Sequence, residues 1–433
     1  MTVSPERRNG ATPDLFSEIG VTGIARSAGI LDDEILPELR GARRAQAIRQ
    51  MVSNDATIGA LLFCIKMLVR QVDWRIDAAS EDGADQEAAE FVRGCLFEDM
   101  SVSWADTLSD VISFLPWGWS LHETVYKRRE GDSRDPSRRS RFTDGRIGWR
   151  KWPIRSQETL YRWQFDDTGG VQAMEQMAPP DYAVRVIPID KALLFRTESN
   201  RGSPEGYSIL RNAYRAWRMK TRIENLEGIG IERDLAGLPV AYLPPEYMDP
   251  NATAAQRATY QAVKDLVTGI RRDEQEGVVM PMAYDANGKP LFDLKLLTSG
   301  GARQFNTNET INRYDVRILM SVMADFLMLG AEKVGSFALS SDKTDLFAAA
   351  IGAWLGGIAG VVNQHAIPRL LRLNGMPTDS IPRLAHGDIE VPDLAELADY
   401  VMKLVGAGVL TATPELEGHL REVASLPALP EDA

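Results

Sequence analysis

One stretch, Arg201 to Val240, sets the architecture that the rest of the chain has to serve. Ser203, Pro204 and Glu205 have the order of an N-cap, a first-turn proline and a first-turn acid, so a helix is predicted to start at Ser203. No further proline interrupts it before Gly237 and Pro239, which gives a helix of about 30 residues and about 45 Å. Ile209, Ala213, Ala216, Ile223, Leu226, Ile229 and Ile231 make a thin apolar stripe. Arg211, Arg215, Arg218, Lys220 and Arg222 sit among them, and Glu224, Glu227, Glu232 and Asp234 follow toward the far end. This basic-to-acidic order opposes the helix dipole, so something outside the helix selects it. Two readings stand: contact with neighbouring subunits, or a long helix laid across a large single-chain core with a solvated charged face.

The pattern around this helix predicts two or more structural units of mixed α and β structure. The 433 residues are 44% hydrophobic and 25% charged, ample for buried cores. Residues 1–30 read as an arm that orders only against something else. Helical spacing runs from Leu31 to Val72 with Asn54 or Asp55 as a start signal, then from Asp85 to Phe97 and Trp104 to Phe114, and strands are predicted at Trp74–Ile76, Trp119–Lys127, Trp149–Ile154, Leu160–Phe165 and Leu193–Arg196. Beyond the long helix come a short strand after Pro239, a helix over Ala254–Arg272, and a predicted hairpin that joins Gly277–Tyr284 to Leu291–Leu297. A second long helix is predicted from Asn306 or Thr307 to Leu329, so two long helices bracket a small α/β module. Gly330–Ser341 reads as a loop, and helix returns from Pro392.

Two segments carry ambiguous signals. Lys127–Arg155 holds eleven Lys or Arg against four Asp or Glu, about +7, which leaves the remainder of the chain at about −19. It reads as a solvated loop between strands, with a contact for nucleic acid or an acidic partner as the alternative; Trp149, Trp152 and Trp163 read as core. Leu346–Val362 is seventeen residues without a charge, with Gly352, Gly356 and Gly360 at four-residue intervals. It falls short of the roughly 20 residues of a membrane span and reads as a buried helix, against the alternative of a membrane-anchored assembly factor.

The chemistry of common catalytic sites is missing from the sequence. Gly288-Lys289 is followed by Pro290 and makes no phosphate loop, there is no G-x-S-x-G elbow, and His122, His365, His386 and His419 lack metal-ligand spacing. Cys64 and Cys95 are too few for a disulfide framework, and no charged-then-apolar leader precedes them, so a reducing interior is expected. Asp293-Leu294-Lys295 reads as one face of a strand rather than a nuclease site. No cofactor or metal is expected, and an assembly protein is favoured over a DNA-processing enzyme with an unrecognised metal site. The net charge of −12 argues against a general nucleic-acid coat.

Four motifs in order carry a resemblance: Trp117-Gly118-Trp119-Ser120-Leu121-His122-Glu123, Gly202-Ser203-Pro204-Glu205-Gly206-Tyr207-Ser208-Ile209-Leu210-Arg211, Glu232-Arg233-Asp234-Leu235-Ala236-Gly237-Leu238-Pro239, and Gly335-Ser336-Phe337-Ala338-Leu339. From about Asp32 to Pro427 the chain resembles the portal proteins of tailed bacteriophages, in their Mu-like branch. The resemblance implies an α+β portal fold. Residues 1–30 would be an N-terminal arm, 31–202 and 346–390 the wing, 203–235 and 302–329 the stem helices, 236–301 the clip, 330–345 the tunnel loop and 391–433 the crown. It implies a ring, usually of twelve copies, at a unique capsid vertex of the virion, assembled in the bacterial cytoplasm, through which the genome is packaged and ejected. Its partners would be double-stranded DNA bound without sequence preference, the terminase large subunit, the head–tail adaptor and the major capsid protein, with no membrane and no enzymatic activity of its own. Lys333, Ser336 and Lys343 would belong to the channel or tunnel loop. Asp249, Arg271, Arg272, Asp273 and Glu274 would meet the motor or adaptor. Arg211, Arg215, Arg218 and Arg222 would pair with Glu224 and Glu227 of a neighbour in the stem. About twelve copies at −12 would give a ring near −144, whose wall lets DNA slide.

Overall fold

The computed structural model describes residues 22–236, 238–269, 284, 287–288, 290–297, 306–325 and 337–387. The chain divides into two compact units, one made of residues 1–212 and 319–433 and the other of residues 213–318.

The first unit opens on a small hairpin, β1 (Arg26–Ser27) and β2 (Ile30–Leu31), followed by helices α1 (Gly41–Asn54) and α2 (Ala56–Gln71). Asp55 separates the two helices and its carboxylate accepts the Ile58 amide at 3.0 Å, the expected start signal. Strand β3 (Trp74–Asp77) leads to α3 (Gly83–Arg93), which closes in a π-helical turn over Gly94–Glu98, and then to α4 (Trp104–Val111) and the short α5 (Phe114–Trp117). Eight strands follow: β4 (Trp119–Glu123), β5 (Val125–Arg128), β6 (Ile147–Lys151), β7 (Ile154–Arg155), β8 (Leu160–Phe165), β9 (Val171–Met177), β10 (Val184–Pro188) and β11 (Ala192–Arg196). They pair antiparallel as β11-β4-β7, β10-β9-β8 and β5-β6.

Strand β4 is central because both its faces are buried. Trp119 and Leu121 pack with Trp163, Met174 and Ile187 of the β8–β10 layer. On the opposite face Ser120 donates to the Val111 carbonyl, and His122 sits edge-on to Phe195. Phe195, Trp149, Trp152 and Trp104 belong to the larger core, with Leu61, Ile65 and Val69 of α2. Trp74, Trp104, Trp152 and Trp149 form a chain of edge-to-face contacts at centroid distances of 5.4, 6.1 and 5.0 Å. Each such ring removes about 150–250 Å² from water, about 4–6 kcal/mol at about 25 cal/mol per Å². Trp149, Trp152 and Trp163 are thus core groups, as expected.

In the second unit, helix α6 spans Tyr214–Ala236, strand β12 spans Leu238–Tyr242 and helix α7 spans Ala254–Gly269. Thr253 and Gln256 form a reciprocal capping box at the start of α7, with the Thr253 amide donating to Gln256 Oε1 at 2.8 Å and the Gln256 amide to Thr253 Oγ1 at 3.3 Å. Strand β13 (Asp293–Leu297) pairs antiparallel with β12, Leu238 opposite Leu297 and Tyr242 opposite Asp293. The expected hairpin between Gly277–Tyr284 and Leu291–Leu297 is described only at its turn. What joins Tyr284 to Pro290 is a single antiparallel bridge across the intervening turn, and Gly277–Ala283 lie outside the described residues. Helix α8 (Thr307–Met320) completes the bracket and is shorter than expected, since Ser321–Met323 form a turn with Met323 at φ +58°.

Helix α9 runs from Phe337 to Val361, then through a π-helical turn over Val362–Ala366 into α10 (Ile367–Leu373), and β14 (Arg383–His386) pairs with β3. Helix therefore begins inside the stretch read as a loop; from Phe337 onward no glycine or proline interrupts it until Gly352. Leu346–Leu373 is the one described helical segment long and apolar enough to cross a membrane. Its Phe347, Ile351, Leu355, Ile358 and Val362 are buried in the main core along one face, while Leu346, Ala349, Ala353 and Gly356 on its other faces are exposed.

Candidate functional site

Two of the resembling motifs meet in space. Gly118 adopts φ +86° and Gly206 φ +53°. A Cβ on Gly118 would lie 2.5 Å from the Glu205 carbonyl oxygen, and one on Gly206 would lie 2.2 Å from the Gly118 carbonyl oxygen. Only a residue without a side chain tolerates both the backbone conformation and the approach. Around this contact the Ile209 amide donates to the Leu115 carbonyl at 3.1 Å, Thr197 Oγ1 donates to the Tyr207 carbonyl at 2.6 Å, and Ser208 Oγ donates to the Pro116 carbonyl.

This knot explains why no helix starts at Ser203. Glu205, read as a first-turn acid, instead bridges Arg44 Nη1 at 2.6 Å and Trp163 Nε1 at 3.2 Å. Residues 203–213 are spent on turns, and helix α6 begins eleven residues later, at Tyr214. Tertiary hydrogen bonds have outcompeted the local N-cap signal. Arg211, read as a stem-helix residue facing a neighbour, precedes the helix. Its Nε and Nη2 donate to the two oxygens of Glu34 in the same chain at 2.6 and 2.7 Å. Burial pushes the Glu34 carboxyl up, but the Arg211 guanidinium and the Leu36 amide outweigh it and hold Glu34 below its ordinary range. Arg201 pairs with Asp33 in the same strap. Sequence reading missed Asp33, Glu34 and Arg44 because their partners lie far along the chain.

Within the second unit, α6 and α8 are antiparallel neighbours. Lys220 Nζ lies 2.6 Å from Asp315 Oδ1, with both side chains largely buried, and Thr307 Oγ1 donates to Glu227 one end further along. Glu227, expected to face a neighbouring copy, is thus engaged inside its own chain. Arg215, Arg218, Arg222 and Glu224 are exposed, interspersed with exposed Met219, Leu226, Ile229 and Ile231. This outer face is both charged and apolar. Glu224 also lies 4.0 Å from Lys220.

In the small module, Asp249 is exposed in the turn ahead of α7, where its carboxylate accepts the Asn251 amide at 2.7 Å. Tyr247 and Phe292 pack edge-to-face at 5.6 Å. Lys295 pairs with Asp293 at 3.0 Å and lies over the Tyr242 ring, so this acid–lysine pair belongs to the strand surface, as read. Arg271, Arg272, Asp273, Glu274, Lys333 and Ser336 lie outside the described residues; Lys343 is on the backbone of α9. Among the described residues no group of His, Cys, Asp and Glu is placed to hold a metal.

The family model described as the portal protein of Mu bacteriophage matches residues 45–423. Solved structures share the fold. A chain from the neck of an empty GTA particle computed with C6 symmetry superposes at TM-score 0.52 and 11% identity, covering 89% of this chain and 94% of that one. A chain from the virion of a native gene transfer agent particle gives 0.51 and 11%, covering 89% and 94%. A chain from the neck of a native GTA particle computed with C12 symmetry gives 0.51 and 12%, covering 89% and 93%. At these identities the likeness concerns the fold.

Proposed function

The chain belongs to the family of Mu bacteriophage portal proteins, and from that premise we propose that it is the subunit of a closed ring at one vertex of a phage capsid, the channel through which the genome is packaged and ejected. The observation that carries this reading is the family match over residues 45–423 joined to the separate unit of residues 213–318, in which two antiparallel helices flank a small sheet and helix. Likeness to neck structures computed with C6 and C12 symmetry supports a ring, of about twelve copies in this proposal. In this reading residues 31–212 and 346–390 are the wing, 213–235 and 302–329 the stem, 236–301 the clip, 330–345, including the first turns of α9, the tunnel segment and 391–433 the crown.

The exposed charged and apolar face of α6 is the surface we assign to the neighbouring copy, with Arg215, Arg218 and Arg222 set against Glu224 of the next subunit. Head-to-tail packing of this kind uses different surfaces on each partner and closes when the rotation divides a circle. Arg211, which precedes α6, drops out of that set; Glu227, like Glu224, also has a partner within its own chain. The clip, with Asp249 and the Arg271–Glu274 segment, is assigned to the terminase large subunit and then the head–tail adaptor, and the wing to the major capsid protein. Lys333 and Lys343 are the channel-side bases, touching DNA phosphates without reading sequence. The reading assigns ATP hydrolysis to the motor and no reaction to this chain.

Native mass spectrometry with top-view electron microscopy tests the proposal. A closed ring near twelve subunits with a central hole is expected. A chain that stays monomeric across salt conditions, alone and when co-expressed with capsid proteins, would overturn it.

A further inference from the structure

The basic segment between β5 and β6 is a built surface rather than a loose loop. Asp99, almost fully buried, organises it: Lys127 Nζ lies 3.1 Å from Asp99 Oδ1, Ser140 Oγ donates to Oδ2 at 2.8 Å, and the Arg141 amide donates to Oδ1 at 2.9 Å. Arg129, equally buried, lies over the Phe142 ring at 3.7 Å and reaches Asp144 at 3.4 Å. The Gly131 and Ser140 amides close the base of the loop on the carbonyls of Phe142 and Gly131. An ion pair taken out of water is retained only with good geometry and further hydrogen bonds, and this one has both.

What this scaffold holds outward is arginine. Arg128, Arg134, Arg138, Arg139 and Arg141 are exposed, and none of the exposed bases between Lys127 and Arg146 is a lysine. Arg138 and Arg139 have only long ion-pair contacts to Glu130, Asp135 and Asp132, at 3.6–4.0 Å, with Arg139 Nε also donating to the Ser133 carbonyl at 3.3 Å, while Arg134 and Arg141 have no ion-pair partner among the described residues. The fixed fork of arginine matches phosphate oxygens in pairs. No large hydrophobic side chain is exposed between Val102 and Tyr161, so the surface lacks the aromatic or aliphatic anchors on which protein partners depend.

We propose that the hairpin tip of residues 128–141 is a phosphate-binding surface for duplex DNA, additional to any channel contact and independent of whether the chain forms a ring. We assign its arginine contacts to phosphate oxygens, which carry no sequence information. The chain outside Lys127–Arg155, at about −19, is net repulsive to DNA, which favours this basic segment as the contact.

The test is fluorescence anisotropy of the full chain with a random-sequence duplex across about 50–200 mM salt. In the Arg134→Glu, Arg138→Glu, Arg139→Glu and Arg141→Glu combination, affinity is expected to fall at least about tenfold and the log–log salt slope to flatten by about three to four. The milder Arg134→Gln, Arg141→Gln pair disturbs no ion pair and is expected to flatten it by about two. Unchanged affinity and slope in the milder pair, with unaltered circular dichroism, would overturn the proposal. Hairpin-dependent binding of polyglutamate as tight as that of DNA would overturn it in favour of an acidic protein partner. Particle mass measured on the same variants separates this result from the ring proposal, since the substitutions leave α6 untouched.

Discussion

At the scale of single residues, His122 shows how a side chain that chemistry makes conspicuous is put to structural use. It is fully buried on β4, with Nδ1 3.0 Å from the Trp152 carbonyl oxygen, so that nitrogen carries the proton and donates. Burial lowers its pKa from 6.5 to about 4; the Trp152 carbonyl works against the shift and the nearby Arg155 charge adds to it. The unfolded chain therefore binds a proton that the folded chain refuses between these values. Stability is full above pH 6.5 and falls as pH drops toward 4, by about 3 kcal/mol from this residue alone. Denaturant titrations at pH 6.5 and 4.5 are expected to show most of that loss in the wild-type chain and not in His122→Gln; equal losses in the two would show that the proton is bound elsewhere. The sequence marked His122 as structural, because no second histidine stands at ligand spacing. It did not reveal that both faces of β4 are covered, since that depends on two layers built from distant segments.

Among the elements, the knot between residues 115–118 and 203–209 governs where the long helix starts. Gly118→Ala and Gly206→Ala each place a methyl group against a carbonyl oxygen in a left-handed backbone region. Each is expected to destabilise the first unit by roughly 2–4 kcal/mol, read as a lowered midpoint in thermal or urea unfolding. A control at Gly145, also at positive φ but with open space around its Cβ position, is expected to lose less. Equal losses at all three would mean that backbone conformation, and not the close approach, sets the cost. Both motifs were visible in the sequence as separate runs; their contact was not, because eighty-odd residues of strand and turn intervene. The helix start was misplaced for the same reason: Ser203-Pro204-Glu205 is a sound local cap, and Arg44 and Trp163 claim its glutamate from afar. Asp55 caps α2 as its position predicts.

For the whole molecule, charge separation is the property with the widest consequence. A chain at −12 that carries a +7 segment sets its bases apart from a body that repels phosphate. In the proposed ring the channel wall favours sliding, with Lys333 and Lys343 as local brakes. Replacing both with glutamate is expected to leave particle mass and symmetry unchanged while genome filling or retention falls, measured as DNA per particle. Normal filling in that variant would remove the two lysines from the channel mechanism.

A helix on either side of a small module was legible from the sequence because proline-free periodic runs and turn clusters are local signals, while both helices are shorter than read. The helix at Leu346–Val362 was legible too, from its uncharged run; the structure buries it along one face only. The family likewise showed in four short motifs in order, and its model matches residues 45–423. Tertiary structure alone decided the rest. It gave Arg211 and Glu227 partners within their own chain, paired β13 with the distant β12, and turned a basic loop into a surface held by Asp99. Each of these outcomes depends on groups that are close in space and distant in the chain, and hydrogen bonds and ion pairs go to whichever partner the packed cores bring within 3 Å.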